Sequence, residues 1–213
     1  MTEKNSSKRT VARAPASEPN PAALGQEPLA APWYRLASRL FAGRPVLETA
    51  VTTLHLNSTP EEIWDRLMFY EDVPGRPPLL LRLLLPSPIR SEGRKHRVGA
   101  TVRCVYQPGD LLKRITVVEA PHSLRFDVIQ QRLGIESCIL ALGGSYSTRA
   151  SGEGTDVVLA TNYQASLRPR ALWRPLEAFL LRQLHRHVLR GIRADAPSKL
   201  ANTTLAALES RRA

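Results

Sequence analysis

RPRALWRPLEAFLLRQLHRHVLRGIR, residues Arg168–Arg193, is the stretch on which the reading of the fold turns. Wound at helical pitch, it sets Trp173, Leu176, Leu180, Leu181, Leu184, Val188 and Ile192 on one broad face, with Arg182, Arg186, Arg190 and Arg193 opposite. The run is an amphipathic helix. Glu177 falls near the middle of the apolar face, where an ionised carboxylate must be paired, protonated or in touch with a wet cavity. A polar group turned inward on such a helix points to a ligand chamber. His185 and His187 fall at the two edges of the stripe and point about 200° apart, so they cannot share one metal ion.

Upstream of this helix come several strands with no helix between them. VGATVRCVYQ (Val98–Gln107) alternates, and Pro108, Gly109 and Asp110 turn it into LLKRITVVE (Leu111–Glu119), a hairpin. LRFDVIQQ (Leu124–Gln131) follows a break at Ala120–His122, and SCILALGGSYSTRA (Ser137–Ala150) carries a glycine pair, Gly143 and Gly144, that predicts a bulge or sharp bend. DVVLATNYQAS (Asp156–Ser166) is the last strand. A run of strands without crossovers demands an antiparallel sheet, whose apolar face needs a cover. Only the helix from Arg170 is long enough to supply it.

The first strand lies earlier, over PVLETAVTTLHLN (Pro45–Asn57). It leads into STPEEIWDRLMFYED, where Ser58 or Thr59 caps a helix with Pro60 in its first turn and Glu61 and Glu62 near its positive end. VPGRPPLLLRLLLPSP (Val73–Pro88) reads as a second short helix or as an apolar loop over the core. Residues 1–31, rich in Pro, Ala, Ser and Glu, predict a disordered tail, and residues 32–44 a short amphipathic helix bearing Trp33, Leu36, Ala37, Leu40 and Phe41 and closed by Gly43. Residues 45–193 form the domain and 194–213 a C-terminal tail.

Composition narrows the setting. A chain of 213 residues suits one domain with tails and needs no staple. Its two cysteines, Cys104 and Cys138, lie in strand-like runs and fit reduced core residues. With no secretory leader and no spanning apolar run, a cytoplasmic protein is expected, one that also touches a membrane periphery if its amphipathic helix lies on lipid. The net charge of +11 suits an anionic surface, but no nucleic-acid motif accompanies it, so nucleic acid is not the expected partner. The sequence leaves the oligomeric state open.

The order of strand, two short helices, antiparallel meander and long closing helix resembles the START-like or SRPBCC superfamily. That group includes polyketide cyclase/dehydrase-type proteins, coenzyme Q-binding carriers and the birch-pollen-allergen fold. The resemblance rests on STPEEIWDRLMFYEDVP, VGATVRCVY, KRITVVEAPHSLRFDV, GGSYS, GTDVVLATNYQA and the closing helix, and covers Val46–Arg193. It implies an α+β helix-grip: a curved antiparallel sheet of six or seven strands wrapped around the C-terminal helix, with two short helices after the first strand. It also implies a cavity between sheet and helix. Strand alternation, subject to register, gives Cys104, Tyr106 and Phe126 as candidate lining, with Tyr163 favoured on the last strand; Tyr146 could reach the same chamber, and Trp64 with the closing-helix residues Trp173, Leu180 and Leu184 completes the set.

Three functions follow as expectations. The first is binding or transport of a hydrophobic small molecule, such as a lipid, an isoprenoid quinone or a polyketide-like ring system, with no cofactor and no metal. The second is a cyclase or dehydratase-type enzyme with Glu177 as the proton-transfer group, assisted by a cavity tyrosine or by Arg103 or Arg114. A structural salt bridge, with Arg174 or a strand arginine, accounts for Glu177 equally well. The third is lipid handling at an anionic membrane, touched through Trp33–Phe41 and Leu79–Leu85.

Overall fold

The computed structural model describes residues 32–69, 78–107 and 109–194. The expected tails over 1–31 and from 195 onward, the segment 70–77 and the turn residue Pro108 lie outside them. The elements run α1 (Pro32–Phe41), β1 (Ala42–Leu56), α2 (Pro60–Phe69), α3 (Leu79–Leu84), β2 (Ser87–Glu92), β3 (Thr101–Gln107), β4 (Asp110–Glu119), β5 (Ser123–Arg132), β6 (Ile139–Ser151), β7 (Gly154–Leu167) and α4 (Arg170–Ala194). All seven strands join one antiparallel sheet in the order β1-β7-β6-β5-β4-β3-β2. The expected helix-grip is therefore present.

Local chemistry accounts for the element ends. Thr59 Oγ1 accepts the Glu62 backbone N–H at 3.3 Å while the Glu62 carboxylate accepts the Thr59 N–H at 3.2 Å, a reciprocal cap that starts α2. Between Ala141 and Gly143 the β6–β7 register shifts by one residue, leaving Leu142 outside the ladder. A Cβ on Gly144 would come within 2.3 Å of the Ala160 carbonyl oxygen and 2.9 Å of the Phe126 ring. The glycine pair thus lets β6 bend closely over both its neighbours.

One strand escaped the sequence reading. β2 pairs with β3 at the outer edge of the sheet, and its start, Ser87 and Pro88, falls at the end of the stretch read as a short helix or apolar loop. Pro88 sits within it, and a proline is tolerated there because an edge strand need not donate on both sides.

The helix at the start of the domain is also corrected. Tyr34 and Ala37 are its buried residues, whereas Leu36 and Leu40 of the expected inner stripe are about 60% exposed (58% and 64%). Tyr34 turns inward because its hydroxyl finds the Leu84 carbonyl, which satisfies the polar end of a buried ring. Gly43 does not close the helix. It lies inside β1, where a Cβ would stand 2.5 Å from the Arg168 side chain, so the glycine serves close approach and not a left-handed cap.

α4 crosses the concave face of the sheet. Leu180, Leu181, Leu189 and Ile192 are buried on it, each such side chain contributing about 1.5–3 kcal/mol relative to exposure. Leu176, expected on this face, is exposed, and His185, expected at its edge, is buried in the middle. The shift has a local cause: hydroxyls on β1 and β7 meet the imidazole. The core holds a cluster around α2 and the C-terminal half of α4, a second around α1, β7 and Leu181, and a small third of Leu81, Leu85 and Leu180.

Candidate ligand chamber

Between the first two of those clusters the sheet and α4 do not fill the space. Two adjoining lobes remain, of about 80 Å³ and about 120 Å³. The first opens toward α2 and β2, with Leu67, Pro88, Arg90 and Lys95 in its wall. The second lies beneath the end of α3, against Leu85, Ile139, Leu181 and His185. Tyr106, Lys113, Phe126, Tyr146 and Val188 belong to both walls and form the partition.

Register explains this lining. Residues two apart on a strand share a face, so Val102, Cys104 and Tyr106 of β3 look toward α4, as do Leu111, Lys113 and Ile115 of β4 and Leu124, Phe126 and Val128 of β5. The intervening positions look away. Arg103 pairs with Asp110 at 2.7 Å on the outer face and Arg114 is exposed, so neither of the two expected arginines reaches the chamber.

Of the residues expected to line the cavity, Cys104, Tyr106, Phe126 and Tyr146 are brought together in the first lobe, and Leu184 joins the last three in the second. Trp64 instead packs into the α2 cluster. Leu180 packs against Leu81 of α3 and Leu85 just after it. Trp173 donates from Nε1 to the Arg168 carbonyl at 3.1 Å and meets the Phe41 ring at 5.4 Å, outside both lobes. Burial, with Glu177 and Glu48 nearby, pushes the hydroxyl of the buried Tyr163 up to about 12.

Glu177 is buried, yet it lines neither lobe. Its carboxylate accepts from both terminal nitrogens of Arg170, at 2.9 and 2.8 Å. Arg170 also donates to Glu48 of β1 at 3.1 Å, and Glu48 accepts from Arg174 at 3.2 Å. The four side chains clamp the start of α4 to β1. This fork-shaped pairing engages both Glu177 carboxylate oxygens at the base of α4, away from either lobe.

Two polar residues of the chamber were missed in the sequence. His185 donates and accepts through its two ring nitrogens, with Thr161 Oγ1 at 2.9 Å from Nε2 and Thr52 Oγ1 at 3.1 Å from Nδ1. Burial, with Lys113 nearby, drops its titration to about 4, so it is a neutral imidazole at pH 7. Lys113 stands in the partition with its ammonium 4.3 Å from the centroid of the Phe126 ring. Burial works against that charge, while Cys104, Tyr146 and Tyr106 favour it as they ionise, so Lys113 sits above the ordinary lysine range. Burial in turn raises the Tyr106 and Tyr146 phenols despite the lysine, so both stay protonated. The clue to Lys113 was its place between Leu111 and Ile115, a charged residue at the inward beat of an apolar alternation.

No protein-family model and no curated relative matches the chain. Among solved structures, the KanY protein is similar at 14% identity and a TM-score of 0.48, over 72% of this chain and 99% of that one. Truncated norcoclaurine synthase from Thalictrum flavum is similar at 15% identity and a TM-score of 0.46, over 70% and 94%. A Mesorhizobium loti protein, MLL2253, is similar at 16% identity and a TM-score of 0.44, over 71% and 99%. The chain's own architecture, a seven-stranded antiparallel sheet gripping a long C-terminal helix, is a helix-grip fold.

Proposed function

We propose that the protein binds a hydrophobic small molecule in the chamber between the sheet and α4. The observation that carries this reading is the pair of adjoining, mostly apolar lobes in the middle of the domain, where a filled core would otherwise be expected. A lined cavity of about 150 Å³ can admit a benzene ring, so lobes of about 80 and 120 Å³ side by side suit a ring system that reaches past the partition. Native mass spectrometry of the protein from its expression host, followed by extraction and identification of any small molecule retained, tests the reading. A stoichiometric apolar compound is expected; an empty protein that also shows no thermal shift across quinone, fatty-acid and polycyclic compounds would overturn it.

A second reading, contact with an anionic membrane, is favoured by a separate observation. Leu36 and Leu40 of α1, Leu79 and Leu83 of α3, and Leu172 and Leu176 of α4 are all exposed. Trp33 of α1 donates to the Leu83 carbonyl at 3.1 Å, Phe41 meets Trp173 of α4, and Leu180 of α4 packs on α3, so the three helices adjoin. Exposed Arg35, Arg39 and Arg82 flank these leucines. Apolar side chains bordered by cations are what an anionic lipid surface takes up. None of the described helices is long and apolar enough to cross a membrane.

A further inference from the structure

We infer that the molecule taken up by the chamber carries an anionic oxygen, a carboxylate or an ionised enol or phenol, and that Lys113 is the residue that pairs with it. The inference rests on the binding reading above and adds the ligand's charge and its orientation to it.

The first observation is the sign of the chamber. Its first lobe is lined by Lys95, Lys113 and Arg90, the last paired with Glu92 at 2.8 Å, its second by Lys113 beside the neutral His185, and among the described residues neither lobe is lined by an aspartate or glutamate. A cleft with low-dielectric walls and fixed charge of one sign concentrates ions of the other sign.

The second is the situation of Lys113 itself. Among the described residues it has no carboxylate within ion-pair distance: Glu48 and Glu177 are bound to Arg170, Glu92 to Arg90, Asp110 to Arg103 and Asp156 to His55. What surrounds the ammonium is the Phe126 ring, the Cys104 side chain and two un-ionised phenols. A cation removed from water needs a counter-charge, and neutral neighbours supply only part of one. The partition position means that a bound molecule in either lobe brings its atoms to Lys113.

The third is the hydrogen-bonding chemistry beside it. Tyr106 and Tyr146 share the partition and, staying protonated, can donate O–H bonds to the same oxygen. An ammonium and two phenols sharing the partition of an otherwise apolar wall offer donors to a single anionic oxygen, with the ligand's hydrocarbon lying in the lobes. The neutral imidazole of His185 adds no competing positive charge at pH 7.

The test compares two probes of equal shape, 2-naphthoate and 2-naphthamide, by isothermal titration calorimetry at pH 7.5 on the full chain. Wild type is expected to hold the carboxylate about tenfold or more tightly than the amide, with the difference shrinking as salt rises. Lys113→Met, which keeps the apolar stem, should erase that preference, and Lys113→Arg should restore most of it. Equal affinity for the two probes in wild type would overturn the inference and leave the apolar chamber standing. Retention of the preference by a folded Lys113→Met would overturn it as well. Binding of neither probe at millimolar concentration would overturn both readings together. The wild-type comparison needs no variant, so a poorly folded Lys113→Met leaves the inference open to refutation.

Discussion

His185 and Thr161, 24 residues apart, meet at 2.9 Å between α4 and β7, and this contact decides which face of the closing helix is buried. A histidine with its ring nitrogens satisfied by Thr161 and Thr52 can occupy the core as a neutral group, so the burial of α4 includes a position that hydropathy alone would put at the margin.

Acid should weaken the fold through this residue. The folded protein withholds a proton from His185 down to about pH 4, whereas the unfolded chain accepts it near the ordinary value of 6.5. The stability it contributes is full above about pH 6.5 and is lost as the pH falls through that interval. Urea unfolding at pH 7.5 and pH 4.5 should differ by on the order of 2–3 kcal/mol more in wild type than in His185→Asn. An identical pH dependence in the two proteins would contradict the assignment.

The clamp at the start of α4 should respond unequally to its two halves. Arg170→Ala strips the buried Glu177 carboxylate of its partner and is expected to cost about 3–5 kcal/mol in denaturant unfolding. Glu177→Gln leaves Arg170 paired with Glu48 and should cost less. Because Glu177 lines neither lobe, the Gln variant should also keep its affinity for a chamber probe such as 2-naphthamide.

Gly144→Ala should be among the costliest single-methyl additions in the sheet. The new Cβ would meet the Ala160 carbonyl at 2.3 Å, and backbone cannot swing aside as a flexible side chain can. A loss of about 1–3 kcal/mol or more is expected from thermal unfolding. By contrast Gly152→Asn should cost little, since its added Cβ would meet nothing within 4 Å and asparagine tolerates its φ of +58°.

Leu36→Glu with Leu83→Glu tests the membrane surface. Both side chains are exposed, so the melting temperature should barely change. Co-sedimentation with vesicles of phosphatidylcholine containing phosphatidylserine should fall at least tenfold, and binding equal to wild type would rule out this face as the contact.

Element type and order were legible in the sequence because the strands alternate and the closing helix repeats at 3.6 residues. β2 was not, since Pro86 and Pro88 read as breakers and only an edge position excuses them. Cys104, Tyr106 and Phe126, which line the first lobe, follow from strand alternation once the register is fixed. Trp64, Trp173 and Leu180 do not, because a helix buries side chains against several neighbours and periodicity cannot say which neighbour borders a void. Glu177 announced itself as a costly placement, but its partner was seven residues away on the same helix rather than on Arg174 or a strand. Lys113 was hidden by its neighbour: in a run reading Leu-Leu-Lys-Arg-Ile, one register choice sends Lys113 inward and the other Arg114, and the pairing with β5 selects the first.

The pairing of the first strand with the last sets the timetable of the chain's birth. Thr49 lies against Asn162, 113 residues later, while β2 through β7 follow one another as neighbours. At a synthesis rate of about 5–20 residues per second, β1 waits for something like 6–20 s after it is made before its partner strand exists. A meander can assemble in the meantime from short-range contacts, but the grip cannot close until β7 and α4 emerge. Closing so long a loop is slow compared with forming hairpins. During that interval the apolar side of β1 has no sheet to join, and the nascent chain is then most exposed to capture by chaperones or by another copy of itself.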